Sequence, residues 1–250
     1  MMDFIASKKT LAQWVQGNPY PGRGIFLGLT PDGKKVLSAY FIMGRSKNSR
    51  NRVFRLEKGQ LYTKPFDESL VEDPSLIIYR ATAAYPDHFI LTNGDQTDTI
   101  VDFEDQGKTF DQALFSRTFE PDGPNWTPRI SGRADWTQQT EKVPFTYEMA
   151  ILKAQDPEAS ACSRSFFHYE AQSGLGHFLS TYQTDGDPIP SFRGEPVALR
   201  IEEGSLEDVS RALWAGLDGE NKVALYVRTQ DLATGQVEEI ITNAREGEDQ

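Results

Sequence analysis

Residues 44–54 read GRSKNSRNRVF, placing four cations and two asparagines within eleven residues of a chain whose formal net charge is −11. Guanidinium groups are planar forks that match phosphate oxygens, and asparagine amides add neutral donors and acceptors beside them. Three other clusters share this vocabulary. YPGRG, residues 20–24, sets Arg23 between two glycines directly before an apolar run, where backbone can approach a ligand closely. TNGDQTDT, residues 92–99, offers an amide, hydroxyls and two carboxylates in what reads as one turn. NWTPRISG, residues 125–132, carries Arg129 after a proline that restricts the preceding Thr127. Each cluster alone reads more readily as a solvated turn. Together they are the inventory for binding a small phosphorylated, heteroatom-rich molecule.

The familiar alternatives have little support. There is no Walker loop, no G-x-G-x-x-G and no G-x-S-x-G. His88, His168 and His177 lack metal-ligand spacing, so no metal site is expected. Cys162 is the one cysteine, which precludes an internal disulfide and fits a reducing cytoplasm. A nucleophilic role for it would need a neighbouring base, and a small strand residue is the simpler reading. The acidic balance argues against a broad nucleic-acid surface. No stretch approaches the roughly 20 apolar residues of a membrane span, and the N-terminus lacks a secretory h-region.

Short strands separated by turn signals must position these clusters. A helix is expected over residues 8–15, then a hairpin through Pro31, Asp32 and Gly33, and a second hairpin about Lys58 and Gly59. SLIIYRAT and HFILTNG, residues 75–82 and 88–94, read as a further strand pair, and residues 109–118 as a helix. FTYEMAILKA, SFFHYEA, HFLSTYQ and PVALRIE read as strands, with the second and third on either side of QSGLG. Ser205 and Asp208 open a helix in a capping-box pattern, with the strand KVALYVRT after it. Many hairpins without βαβ alternation predict an α+β fold of antiparallel sheet. With 250 residues and no convincing linker, one domain over residues 1–250 is expected, with 240–250 as a flexible polar tail.

Taken in order, YPGRGIFLG, GRSKNSRNR, DPSLIIYR, LTNGDQTDTI, PNWTPRISG and GHFLSTYQTDGDPIPSFRGEP resemble the inosine monophosphate (IMP) cyclohydrolase family of archaeal type, especially its bacterial members. The resemblance covers about residues 20–227, and N-G-x-x-T-D-T-I and T-P-R-I are its most specific motifs. It implies a four-layer αββα sandwich of antiparallel sheets, Ntn-hydrolase-like, working without an N-terminal nucleophile. It also implies cyclisation of 5-formamidoimidazole-4-carboxamide ribonucleotide to IMP with loss of water, in purine biosynthesis. That chemistry requires no cofactor and no metal. The partners implied are the ribonucleotide substrate and IMP, with no nucleic acid and no membrane; a homo-oligomer is compatible with the sequence.

The reaction must hold two ring substituents in attack geometry, take a proton from a poor amide nucleophile and stabilise a developing oxyanion. By resemblance and charge, Arg23, Arg45 and Arg52 are candidates for phosphate or base contacts, with Asn51 as an amide donor. For the chemistry the resemblance points to Tyr79, Asn93, Asp98, Arg129 and Glu148: Tyr79 and Arg129 at the oxyanion, Asp98 or Glu148 relaying protons. One departure is Arg80, which follows IIY where the family pattern leads to asparagine. Two rival readings stand beside this one, a non-catalytic purine-nucleotide-binding protein and an amide hydrolase on an Ntn-like scaffold. The second needs a nucleophile at a processed N-terminus, and MMDF supplies none.

Overall fold

The computed structural model describes residues 2–71, 77–140 and 142–245. Two short helices come first, α1 (Met2–Ala6) and α2 (Leu11–Val15). The helix expected over 8–15 starts late because Thr10 caps it in a capping box with Gln13. The backbone before the cap pairs elsewhere, with the Arg200 amide donating to the Lys9 carbonyl at 2.9 Å.

Strands β1 (Arg23–Leu29) and β2 (Lys35–Met43) form the first expected hairpin, and β3 (Val53–Glu57) and β4 (Gln60–Lys64) the second. Lys58 and Gly59 turn the second with φ of 51° and 74°, a left-handed pair that suits hairpin twist. The strand expected over 75–82, of which 75 and 76 lie outside the described residues, is two: β5 (Tyr79–Arg80) and β6 (Thr82–Ala84). β5 pairs with β4, whereas β6 pairs with β7 (His88–Thr92), so the chain changes sheets at the buried Ala81.

Helix α3 (Gln96–Glu104) occupies the second half of the segment read as one turn. Helix α4 (Phe110–Phe115) begins at the Thr109 cap but is shorter than residues 109–118, since the Arg117 carbonyl accepts from the Arg164 guanidinium rather than continuing a helix. Then come β8 (Arg129–Asp135), β9 (Thr146–Ala154), β10 (Cys162–Glu170), β11 (Leu175–Ser180) and β12 (Val197–Arg200). Helix α5 (Leu206–Gly216) opens on the expected Ser205–Asp208 capping box and leads to β13 (Lys222–Asp231) and β14 (Val237–Asn243). The sequence reading did not anticipate α1, α3, β8 or β14. β14 corrects the expected tail: residues 240–243 pair with β13, and 246–250 lie outside the described residues.

Every named strand pair is antiparallel, in keeping with the α+β expectation. The six-stranded sheet runs β12-β11-β1-β2-β13-β14, the five-stranded sheet β10-β9-β8-β7-β6, and β3-β4-β5 form a third. Alternate residues of the two large sheets serve different cores. Ile25, Leu27, Tyr40 and Tyr226 of the first meet Phe89, Ile130, Tyr147 and Met149 of the second in one cluster. Phe26, Phe41 and Leu225 face Leu11, Val15 and Leu213 of α2 and α5, while Ile90, Ala150 and Leu152 face Ile100, Phe110 and Leu114 of α3 and α4. Strands buried on both faces read as continuous apolar runs, which is why β1, β2 and β13 are plain in the sequence. Among the described residues no helix is long and apolar enough to cross a membrane.

His177 of β11 lies near the inter-sheet core, with its Nδ1 2.6 Å from the Tyr147 hydroxyl and its ring stacked on Tyr169 at 3.8 Å. Burial lowers its pKa to about 4. Because the folded value is depressed below the unfolded one, near 6.5, the unfolded chain binds the extra proton between them. Stability from neutral His177 is therefore complete above about pH 6.5 and is lost as pH falls towards 4. Denaturant titrations across this window should show His177→Gln with a shallower stability loss than the parent; parallel curves would contradict the assignment.

Candidate active site

Antiparallel pairing sets the start of β1 beside the end of β2 and the end of β11. A cavity of about 280 Å³ opens there, lined at the start of β1 by Arg23 and the preceding Gly22, from the segment after β2 by Arg45, Asn48 and Arg52, and by Glu120, Thr127 and Tyr182. Gly22 suits its place for two reasons. Its φ is +77°, and a Cβ would lie 2.3 Å from Thr181 Oγ1 and 2.5 Å from the Tyr182 ring.

The basic segment folds on itself. The Ser46 and Ser49 hydroxyls cap each other's backbone amides, and Arg50 donates to the Gly44 carbonyl and Asn221 Oδ1 at 2.8 and 3.0 Å, which commits it to holding the loop. Asn51 is fully buried and grips Asp67 through both side-chain amide atoms, Nδ2 donating to its carbonyl and Oδ1 accepting from its amide, at 2.7 and 2.8 Å. Its amide is spent on the loop rather than offered to a ligand.

The three arginines assigned to the ligand differ in how they are neutralised. Arg23 meets Glu120 through two bonds of 2.8 Å and donates to the Asn93 carbonyl at 3.0 Å. Burial alone would lower its pKa, yet the adjacent Glu120 carboxylate leaves it well above the ordinary value. Arg45 is more exposed, pairs with Asp185, donates to the Gly186 carbonyl at 3.0 Å and sits over the Tyr20 ring. Arg52 is 7% exposed and donates to the Ser49 and Met43 carbonyls at 2.9 and 3.4 Å. Among the described residues no carboxylate pairs with it. Nearby, on the same wall, Asn48 Oδ1 is buried and has no hydrogen-bond partner among the described residues. A buried guanidinium without a counter-charge is costly unless an anion completes it.

The residues expected to do the chemistry divide into two groups. Tyr79, Asn93 and Arg129 gather behind Arg23 and Glu120. The Tyr79 hydroxyl is 2.7 Å from that of Tyr40, whose pKa burial raises. Asn93 is fully buried and spends its amide on the Ile130 amide, the Pro128 carbonyl and Gln96. Arg129 donates to Asp95 and Gln96 Oε1 at 2.6 and 2.8 Å, and burial lowers its pKa against the pull of Glu120 and Asp95. A Cβ on Gly94 would lie 2.7 Å from Arg129 Nη1 and 3.5 Å from Glu120 Oε1, so this glycine lets the two groups close on one another.

Asp98 and Glu148 stand apart from the cavity. Asp98 points outward from α3, its side chain 61% exposed, and binds Arg80 at 2.7 and 2.8 Å, so the unexpected Arg80 is answered by an acid. Glu148 lies on β9 opposite Arg133 and His168, near His168 Nδ1 at 3.4 Å, and burial raises its pKa. Asp98→Asn should accordingly leave turnover within about twofold and stability within roughly 0.5 kcal/mol, as for exposed pairs. A tenfold loss of turnover in the folded variant would return Asp98 to the chemistry. The sequence reading does not single out Glu120 or Tyr182, which line the cavity. Glu120 sits between Phe119 and Pro121 with no periodicity to mark it. Tyr182, which meets the Thr127 hydroxyl at 2.7 Å, falls in a run read as a strand and in a resemblance motif, but nothing in its spacing marks it out for the site.

Comparison with known proteins finds one family and a curated relative. The family described as IMP cyclohydrolase-like protein matches residues 20–236. The chain is also 29% identical over 182 residues to a protein named IMP cyclohydrolase from Methanopyrus kandleri, covering 69% of this chain and 89% of that relative.

Proposed function

Since the chain belongs to the IMP cyclohydrolase-like family of enzymes, we propose that it closes the purine ring of IMP. The carboxamide nitrogen of 5-formamidoimidazole-4-carboxamide ribonucleotide attacks the formyl carbon, that nitrogen and the formamido nitrogen each give up one proton, and the formyl C–O bond breaks so that the oxygen departs as water. The observation that carries this reading is Arg52, a buried cation on the cavity wall with no acid partner among the described residues. A ligand phosphate supplies the missing charge, with Arg45 free to join it by leaving Asp185.

Arg23 and Glu120 face the same cavity as a fixed pair of opposite charge. Glu120 offers a carboxylate to a carboxamide proton, and Arg23 offers N–H groups to the oxygen on which charge develops. Tyr79, Asn93 and Arg129 act in this reading as positioning residues behind that pair. The three core clusters support a four-layer αββα arrangement of Ntn-hydrolase type within a single domain, and a cytoplasmic place suits a purine-pathway enzyme.

Purified protein mixed with the formamido ribonucleotide should produce the ultraviolet absorbance of a purine without added metal. IMP binding with no such absorbance would leave a nucleotide-binding protein instead, and neither binding nor turnover would remove the reading altogether.

A further inference from the structure

A second cavity, about 570 Å³, backs onto the first across two segments of chain. Its volume falls in the range of small-molecule sites. Two cations line it, Lys9 and Arg193, and among the described residues neither is in an ion pair; the single carboxylate on the wall is Glu195. In a protein of net charge −11 this is a local reversal of sign. Trp14, 41% exposed, presents a ring to the same space with Lys9 Nζ 5.9 Å from its centroid, and Phe192 forms part of the floor. Gln183 adds a side-chain amide, while that of Asn18 is taken up by the Gln183 carbonyl and the Tyr20 amide. A part-exposed indole beside unneutralised cations is the chemistry that takes an aromatic base and its phosphate together.

The wall between the cavities is shared. Asn18 Nδ2 donates to the Gln183 carbonyl at 2.7 Å, and the Tyr182 amide donates to the Pro21 carbonyl at 3.2 Å. Pro21 and Gln183 face the second cavity, while their neighbours Gly22 and Tyr182 face the first. The Tyr20 and Tyr182 rings stack at 5.9 Å across the join. We infer that this cavity is a second site for a purine ribonucleoside monophosphate, distinct from the one that holds substrate and coupled to it through residues 18–23 and 180–184. Coupling here means that a ligand bearing on the shared strap shifts Tyr182 and Arg23, and with them affinity at the first site.

Equilibrium dialysis with IMP tests this independently of turnover. The parent protein should bind two equivalents per chain. Arg52→Ala should weaken one by at least about tenfold, and the Lys9→Ala/Arg193→Ala double variant should weaken the other to a similar extent, as expected for loss of charge-assisted contacts. The double variant should keep the parent kcat/KM, read at nucleotide concentrations too low to fill the second site, and IMP quenching of indole fluorescence should disappear in Trp14→Phe. One equivalent in the parent, or two equivalents unchanged in the double variant, would overturn the proposal. One equivalent surviving in Arg52→Ala and lost in the double variant upholds the second site even if no cyclisation is observed.

Discussion

Arg52→Ala should weaken IMP and the formamido substrate alike, by roughly 10- to 150-fold, the equivalent of the 1.5–3 kcal/mol typical of a hydrogen bond to a charged group. The phosphate is the same in substrate, transition state and product, so the loss should appear as a raised KM with kcat much less affected. Arg52→Lys should recover only part of it, because an ammonium cannot reproduce the fork. The variant should remain folded: Arg52's own bonds are to two carbonyls of its loop, and relieving a buried charge offsets their loss. Calorimetric titration with IMP against a melting curve separates the cases. Unchanged affinity in the folded variant would take the phosphate away from Arg52.

The Arg23–Glu120 pair should respond in the opposite manner. Each side chain is nearly buried, at 8% and 6% exposure, so removing either alone strands a charge. Arg23→Ala and Glu120→Ala should each cost about 3–5 kcal/mol, a fall in Tm of roughly 6–20 °C for a chain of this size. Replacing both with apolar groups of similar volume, Arg23→Met with Glu120→Leu, should restore most of the stability. Turnover should not return with it, since both polar groups facing the substrate are gone. A double variant cycling at the parent rate would make the pair purely structural, and single variants melting with the parent would show that the charges are not held in a buried pair.

Much of the fold was legible because its strands carry their own signal. The runs of β1, β2 and β13 are apolar on both faces, and the turns at Gly33 and Gly59 take positive φ where glycine was read as a turn residue. α3 was hidden because Asn93 and Gly94 end a strand so clearly that the following QTDT looked like more turn. β14 was hidden by Glu238 and Glu239, which dilute its alternation on an edge strand. Within the site, Arg23 and Arg52 could be picked out as cations next to strand ends. Their difference could not, because it depends on Glu120, almost a hundred positions away from Arg23 and brought to it only by the packing of two sheets. Asn51 illustrates the reverse error: the residue type suggested a ligand donor, and the backbone of Asp67 claimed it first.

The place of β13 beside β2 also constrains how the protein can be made. In the six-stranded sheet β2 lies between β1 and β13, and its pairing partners run from Lys222 to Asp231, almost two hundred residues later in the chain. β1 likewise waits for β11. The first hairpin therefore leaves the ribosome with both edges unpaired, that of β1 until residues 175–180 and that of β2 until residues 222–231 have been synthesised. Such non-local pairing folds slowly and exposes strand edges to other nascent chains in the meantime. Synthesis rate and chaperone supply should thus govern the soluble yield of this enzyme more than its final stability does, and a chain interrupted before Lys222 should aggregate rather than accumulate as a partial domain.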